Sequence, residues 1–143
     1  EVFADQFEKT ARGFFEAARI MLDVPPGGDA RQAALLREDA RIAEACGLHF
    51  QSVAHQTRFT LARNRLAEAR TAAEAAPLLE ALETAIRGEM DLALRLYAVQ
   101  TADSRVGYEA TNHYFYIPYD LAAKVVNCRD LLERWLPEQR ARY

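Results

Sequence analysis

Apolar residues recur through most of this chain at steps of three and four, the spacing that gathers them on one face of an α-helix. Phe3, Phe7, Thr10 or Ala11, Phe14, Ala18 and Met21 or Leu22 define a first helix from about Val2 to Leu22. Asp23-Val24-Pro25-Pro26-Gly27-Gly28-Asp29 interrupts it, because two prolines remove donors and two glycines relax the backbone. Asp29 suits the N-cap of a second helix, accepting from N–H groups that have no helical partner. From Ala30 to about Ala72 no proline intervenes, and Leu35, Ile42, Ala45, Leu48 or His49, Ser52, His55, Phe59, Ala62 and Leu66 keep helical spacing. A rod of roughly 40 residues would run about 60 Å. It is expected either to break near Gly47 or to extend past a compact bundle. Gly47 marks a kink or the close approach of a neighbour.

Thr71-Ala72-Ala73-Glu74 reads as a capping box, with Pro77 near the first turn. The third helix then carries Leu79, Leu82, Ile86, Met90 (or Glu89), Ala93, Leu96 or Tyr97, and Gln100 on its inner face. After a long connection, Asp120 is the expected cap of a fourth helix whose buried stripe is Leu121, Val125, Cys128, Leu131 or Leu132, and Trp135. Pro137 should end that helix and leave Glu138–Tyr143 as a frayed tail. The pattern predicts an all-α fold: a single helical domain over residues 1–143. Its form is an up-down four-helix bundle with long helices and one long aromatic-rich loop between helices 3 and 4.

Composition agrees with that class and removes several functions. At 143 residues and 50% hydrophobic the chain can bury one core, and six Gly with five Pro are few for a turn-rich β fold. The net charge of −3, with both signs interspersed, lacks the basic excess of a nucleic-acid footprint. No run of about 18 apolar residues is present to span a membrane. The chain starts at Glu1 without a basic and then apolar leader, which suggests a segment of a larger multidomain protein. Cys46 and Cys128, the two cysteines, fall in helical patterns where a thiol acts as a small hydrophobe, so a disulfide between helices stays open. Neither the start nor the cysteines indicate a compartment.

Candidate chemistry is sparse. No Glu-x-x-His pair of the di-iron bundle type occurs, and His49 and His55 stand six apart, off a common face. No metal and no cofactor is expected. No nucleophile elbow or phosphate-cradling glycine loop is present either. His49, Ser52, His55 and Gln56 make a polar patch on an otherwise apolar helix. Such groups either hydrogen-bond across the bundle or line a slot that receives something from outside. Arg58, Arg63, Arg65 and Arg70 are spread around their helix and diluted by Glu68 and Glu74, as on a solvated face.

The connection Ala102–Asp120 departs from this pattern. It holds Tyr108, Tyr114, Tyr116 and Tyr119, four of the six tyrosines, beside Phe115, Asp103, Arg105, Glu109, Asn112 and His113. Planar amphipathic rings mixed with amides and charges suit a sugar or a protein interface, and they also suit a cap on the end of the bundle.

The string Asp103-Ser104-Arg105-Val106-Gly107-Tyr108-Glu109-Ala110-Thr111-Asn112-His113-Tyr114-Phe115-Tyr116 is followed by Pro118, Asp120-Leu121 and Lys124-Val125-Val126-Asn127-Cys128. Over residues 102–130 the chain resembles the C-terminal α-helical domain of large bacterial glycoside-hydrolase-like proteins, in which a (β/α)8 barrel precedes a helical tail. The resemblance implies a non-catalytic accessory domain that packs on a neighbouring catalytic domain of the same chain. It also implies that Arg105, Tyr108, Glu109, Asn112, His113, Tyr114 and Tyr116 are the binding contacts, to that domain or to a saccharide. No catalytic residue carries over, since the two carboxylates that glycoside hydrolysis needs, about 5–9.5 Å apart, would lie in the barrel. Such a domain could also form a homo-oligomer, and two rival readings stand beside it: a self-standing protein–protein interaction module, and a small enzyme using Glu109 and His113 as an acid–base pair.

Overall fold

The computed structural model describes residues 1–25, 29–106 and 117–143, and among them every regular element is helical. Four helices pack together: α1 (Val2–Asp23), α2 (Ala30–Glu68), α3 (Ala72–Ala102) and α4 (Pro118–Asp130). A π-helical turn at Leu131–Trp135 carries α4 into a short α5 (Leu136–Arg140). Among the described residues α1 packs on α2, α2 on α3, and α3 on α4. Ion pairs cross from α2 to the start of the chain and from α3 to α2. Arg65 meets Glu1 and Arg58 meets Asp5 between α2 and α1, while Arg95 of α3 meets Glu44 of α2.

The caps follow local chemistry. The Asp29 carboxylate accepts from the backbone N–H groups of Arg31 and Gln32 at 2.8 and 3.4 Å, as predicted. Thr71 Oγ1 accepts from Glu74 N, but the Glu74 carboxylate reaches one residue further back, to the N–H of Arg70 at 2.8 Å. Pro77 lies in the second turn of α3, so the carbonyl of Ala73 lacks its usual helical donor. α2 is one unbroken helix of 39 residues.

The structure bears out part of the predicted inner faces of the first two helices, with Ala11, Ala18, Leu48, Ser52, Ala62 and Leu66 buried, and corrects the rest. In α1 the buried residues are Ala4, Ala11 and Ala18, each seven apart, while Phe3 and Leu22 are exposed. α2 carries buried Ala40, Gly47 and Ala54 at the same spacing, with Leu35 and Ile42 turned to the outside. Small side chains let two helix backbones approach closely and push the bulky ones to the flanks. There Phe7 and Phe14 stack on either side of Phe50, with centroids 5.9 and 5.6 Å from it. Gly47 serves that approach: a Cβ there would stand 2.6 Å from the ring of Phe15.

The start and end of the last helix differ from expectation as well. Ile117, not Asp120, is the N-cap, because Pro118 fits the first helical position, where no N–H is needed. Pro137 does not end the helix. The N–H of Leu136 bonds five residues back to Leu131, and the widened π turn absorbs the missing donor. Glu138–Tyr143 is tied down, since Tyr143 Oη donates to the carbonyl of Leu66 at 2.7 Å.

Where α2, α3 and α4 meet, the core divides. One apolar cluster holds Leu48, Leu92, Leu96, Val99 and Leu121. The other holds Ala62, Leu66, Ala75, Leu79, Leu82 and Leu136, with Phe59 and Trp135 packed against it. Between them lies a polar layer.

Candidate functional site

Ser52 and His55 of α2, Glu89 of α3 and Lys124 of α4 form that layer. Along the chain each stands between residues of the two apolar clusters. Glu89 is only 6% exposed and Ser52 is equally buried. A buried carboxylate is expensive unless it is paired and hydrogen-bonded. Here Lys124 Nζ makes an ion pair with Glu89 Oε2, and the same ammonium donates to Ser52 Oγ at 3.2 Å. Ser52 Oγ donates to Glu89 Oε2 at 3.0 Å and accepts from Gln56 Nε2 at 2.9 Å. Lys9 and Lys124 are the only lysines among 18 basic residues. A compact ammonium with three donors suits this crowded position better than a planar guanidinium.

His55 completes the cluster imperfectly. Its Nδ1 lies 3.6 Å from Glu89 Oε1, too long for a hydrogen bond, although close enough for strong attraction if the ring is charged. Both atoms are buried without a hydrogen-bond partner among the described residues. On the ring's other edge, Gln51 Nε2 lies 3.0 Å from Nε2. The ring backs onto Gly88, where a Cβ would come within 2.5 Å of it. Burial pulls the His55 pKa below its ordinary 6.5, against the opposing pull of Glu89. Burial also raises the pKa of the Cys128 thiol, and the Glu89 charge adds to the rise.

A cleft of about 300 Å³ opens beside the layer, with Phe59, Arg63, Glu89, Lys124, Asn127 and Cys128 in its lining. The one buried carboxylate there is already engaged by lysine and serine. The arrangement therefore holds three helices in register, and it offers no pair of free carboxylates for acid–base chemistry. Among the described residues no three His, Cys, Asp or Glu side chains converge as metal ligands. Cys46 and Cys128 are both free thiols. No helix among the described residues is long and apolar enough to cross a membrane.

Of the sequence-predicted site residues, the structure describes Arg105 alone. Tyr108, Glu109, Asn112, His113, Tyr114 and Tyr116 lie outside the described residues. Arg105 is exposed and folds back on Asp103, donating from Nε and from a terminal nitrogen at 2.9 and 2.6 Å. These bonds hold the Asp103 carboxyl down at about 2. The Arg105 guanidinium also comes within 3.7 Å of Glu38, which fastens the start of the connection to α2.

The polar patch divides. Ser52, His55 and Gln56 join the layer, whereas His49 sits at the surface, edge-on to Phe50 at 5.3 Å. What fills the predicted slot comes from α3 and α4 of the same chain. Of the arginine run, Arg58 and Arg65 cross to acidic residues of α1, and Arg63 turns to Asn64. Sequence reasoning missed the partnership of Glu89 and Lys124. Two signals were available: a glutamate in register with an apolar stripe, and one of only two lysines in an arginine-rich chain.

On the opposite side of α4, Tyr119 and Val126 are 79% and 68% exposed. With Ala122 and Ala123 they line a shallow apolar surface bounded by Asn127 and Asp130. Comparison of the chain with protein families, with characterised proteins and with solved structures finds no match.

Proposed function

We propose that this chain is a non-catalytic helical accessory domain of a larger glycoside-hydrolase-like protein, docked through α4 on a neighbouring catalytic barrel of the same chain. In this reading the four helices form an up-down bundle. Its aromatic-rich connection between α3 and α4 carries contacts to the barrel or to a saccharide near it, from Arg105, Tyr108, Glu109, Asn112, His113, Tyr114 and Tyr116. The observation that carries the reading is the uncovered apolar face of α4, Tyr119 to Val126, within the stretch whose sequence resembles those domains. Exposed apolar residues grouped on one helix face, with polar residues at the edge, are what a packing surface requires. The engagement of Glu89 by Lys124 and Ser52 supports the non-catalytic part.

The test pairs two preparations, this chain alone and the chain with its upstream sequence. The chain alone should not turn over aryl-glycosides, and robust turnover by it would overturn the reading. Tyr119→Ser with Val126→Asp should lower the melting temperature of the longer protein while leaving that of the isolated chain unchanged. Equal effects on both would remove the docking role of α4.

A further inference from the structure

We infer that Ser52, His55, Glu89 and Lys124 form a proton-operated latch, in which neutral His55 leaves Lys124 clamped on Glu89 and Ser52, and protonated His55 loosens α4. The inference does not depend on the accessory-domain reading. Lys124 is the residue through which α4 reaches the buried polar atoms of both α2 and α3. At the end of the π turn and just beyond it, Trp135 and Leu136 belong to a separate apolar cluster. The latch therefore governs Pro118–Asp130 and leaves α5 in place.

The geometry makes the ring and the ammonium competitors. With the Gln51 amide nitrogen facing Nε2 at 3.0 Å, the neutral ring carries its proton on Nδ1, towards Glu89 Oε1. A second proton on Nε2 would set donor against donor, so the amide must turn over. It would also place two cations on one buried carboxylate. The Gly88 backbone packs against the Cε1–Nδ1 edge of the ring and restricts its movement on that side. The remaining charges around His55 do not relieve the excess. Glu8 of α1 attracts the ring, but it is engaged by Arg58 of α2, which repels it, and Lys124 of α4 repels it too. Lys124 is the partner with freedom to leave, since its side chain is 30% exposed and opens on the cleft. Relief of charge therefore moves α4.

The sign follows from linkage. The folded His55 pKa lies below the ordinary 6.5 through burial, so the folded state resists the proton that an unfolded chain accepts. The latch is closed above pH 6.5 and opens as the pH falls through the lower folded value.

Cys128, buried on α4 beside the cluster, reports the opening. In a Cys46→Ser background, its rate of reaction with a pyridyl disulfide is measured from pH 7.5 to 5 and divided by the rate of glutathione. We expect the ratio to rise at least several-fold as the pH falls, and to stay flat in His55→Gln. A flat ratio in the Cys46→Ser protein, or an equal rise in both, overturns the latch. Should His55→Gln fail to fold, the histidine ring signals of the Cys46→Ser protein decide. The rise must share its midpoint with His55, and a midpoint shared with His49 or His113 overturns the inference.

Discussion

α2 uses two kinds of seam on its two sides, and they divide the work of holding the fold. Against α1 the contact is made of small residues, Ala4, Ala11 and Ala18 on one helix and Ala40, Gly47 and Ala54 on the other. Against α3 and α4 it is a pair of apolar clusters separated by a charged layer. The alanine seam brings backbones close but says little about register. A slide of α1 by seven residues would again set small residues against small residues. What opposes the slide lies at the edges: Phe15 seated on Gly47 with Arg95 over its ring, and Arg58 between Asp5 and Glu8. The polar layer resists sliding, since moving α3 or α4 would leave a buried carboxylate without its cation, and moving α2 would remove its serine donor. Buried polar groups at a helix interface serve best as register devices.

The largest test of that contrast is Glu89→Leu. Removing one partner of a buried ion pair costs about 3–5 kcal/mol in general, and the partial exposure of Lys124 puts this case near 3 kcal/mol. Glu89→Leu with Lys124→Leu should recover most of the loss, because the pair itself contributes little net stability. Urea denaturation of the two single variants and the double variant, read as a cycle, gives the coupling directly. A single-variant cost below about 1 kcal/mol would mean that the layer imposes no constraint.

Next in size is overpacking of the other seam. Ala11 is fully buried, and Ala11→Leu forces extra carbons between two closely packed backbones, at about 2 kcal/mol. The damage should stay on the α1 side. Trp135 packs at 5.9 Å from Phe59 in the far cluster, and its fluorescence should keep the native maximum in the folded variant. A shifted maximum would show that the two seams act as one unit.

The same contrast explains what the sequence made legible. Helical class, the caps at Asp29 and Thr71 and most of the α3 face could be read, because capping chemistry and period are local properties. The inner faces of α1 and α2 could be read only in part: Ala11, Ala18, Leu48, Ser52, Ala62 and Leu66 are buried as expected, whereas the buried Ala4, Ala40, Gly47 and Ala54 fall outside the predicted stripes. Hydrophobic periodicity gives weight to Phe3, Leu35 and Ile42, whereas close packing selects alanine, whose signal is weak in a chain rich in it. The polar layer was half legible, since Ser52, His55 and Gln56 declared a polar patch on one helix. Their partners Glu89 and Lys124 stand 37 and 72 residues from Ser52, and only tertiary structure joins them. The candidate contacts at 108–116 came from resemblance, and Arg105 is the one whose surroundings are described.

Gly47→Ala sharpens the comparison at smaller scale, because two effects oppose each other. Alanine gains about 1 kcal/mol of helix propensity over glycine. Its Cβ would stand 2.6 Å from a Phe15 ring carbon, so the ring must shift and disturb its contact with Arg95. The displacement costs about 1–3 kcal/mol, leaving a net loss near 1 kcal/mol. Combined with Phe15→Leu, which vacates the ring's place, the same Gly47→Ala change should become stabilising by thermal denaturation. No change of sign would mean that Gly47 is present for some other reason than the approach of α1.

The smallest effect belongs to the end of the chain, where a frayed tail was predicted and an anchored one is found. Tyr143 Oη donates to the carbonyl of Leu66 at 2.7 Å, beside the C-terminus of α2, where helix carbonyls lose their own partners. That carbonyl also accepts from the N–H of Ala69 at 3.2 Å, so Tyr143→Phe does not orphan it. The loss should fall near the low end for a hydrogen bond, about 0.5 kcal/mol. Amide exchange is the more sensitive readout. The N–H of Ala141, bonded to the carbonyl of Pro137, should exchange faster in Tyr143→Phe, while amides of α3 keep their wild-type rates. Unchanged exchange at Ala141 would mean that Leu136, seated in the apolar cluster, anchors this end by itself, and that the tyrosine only rests against it.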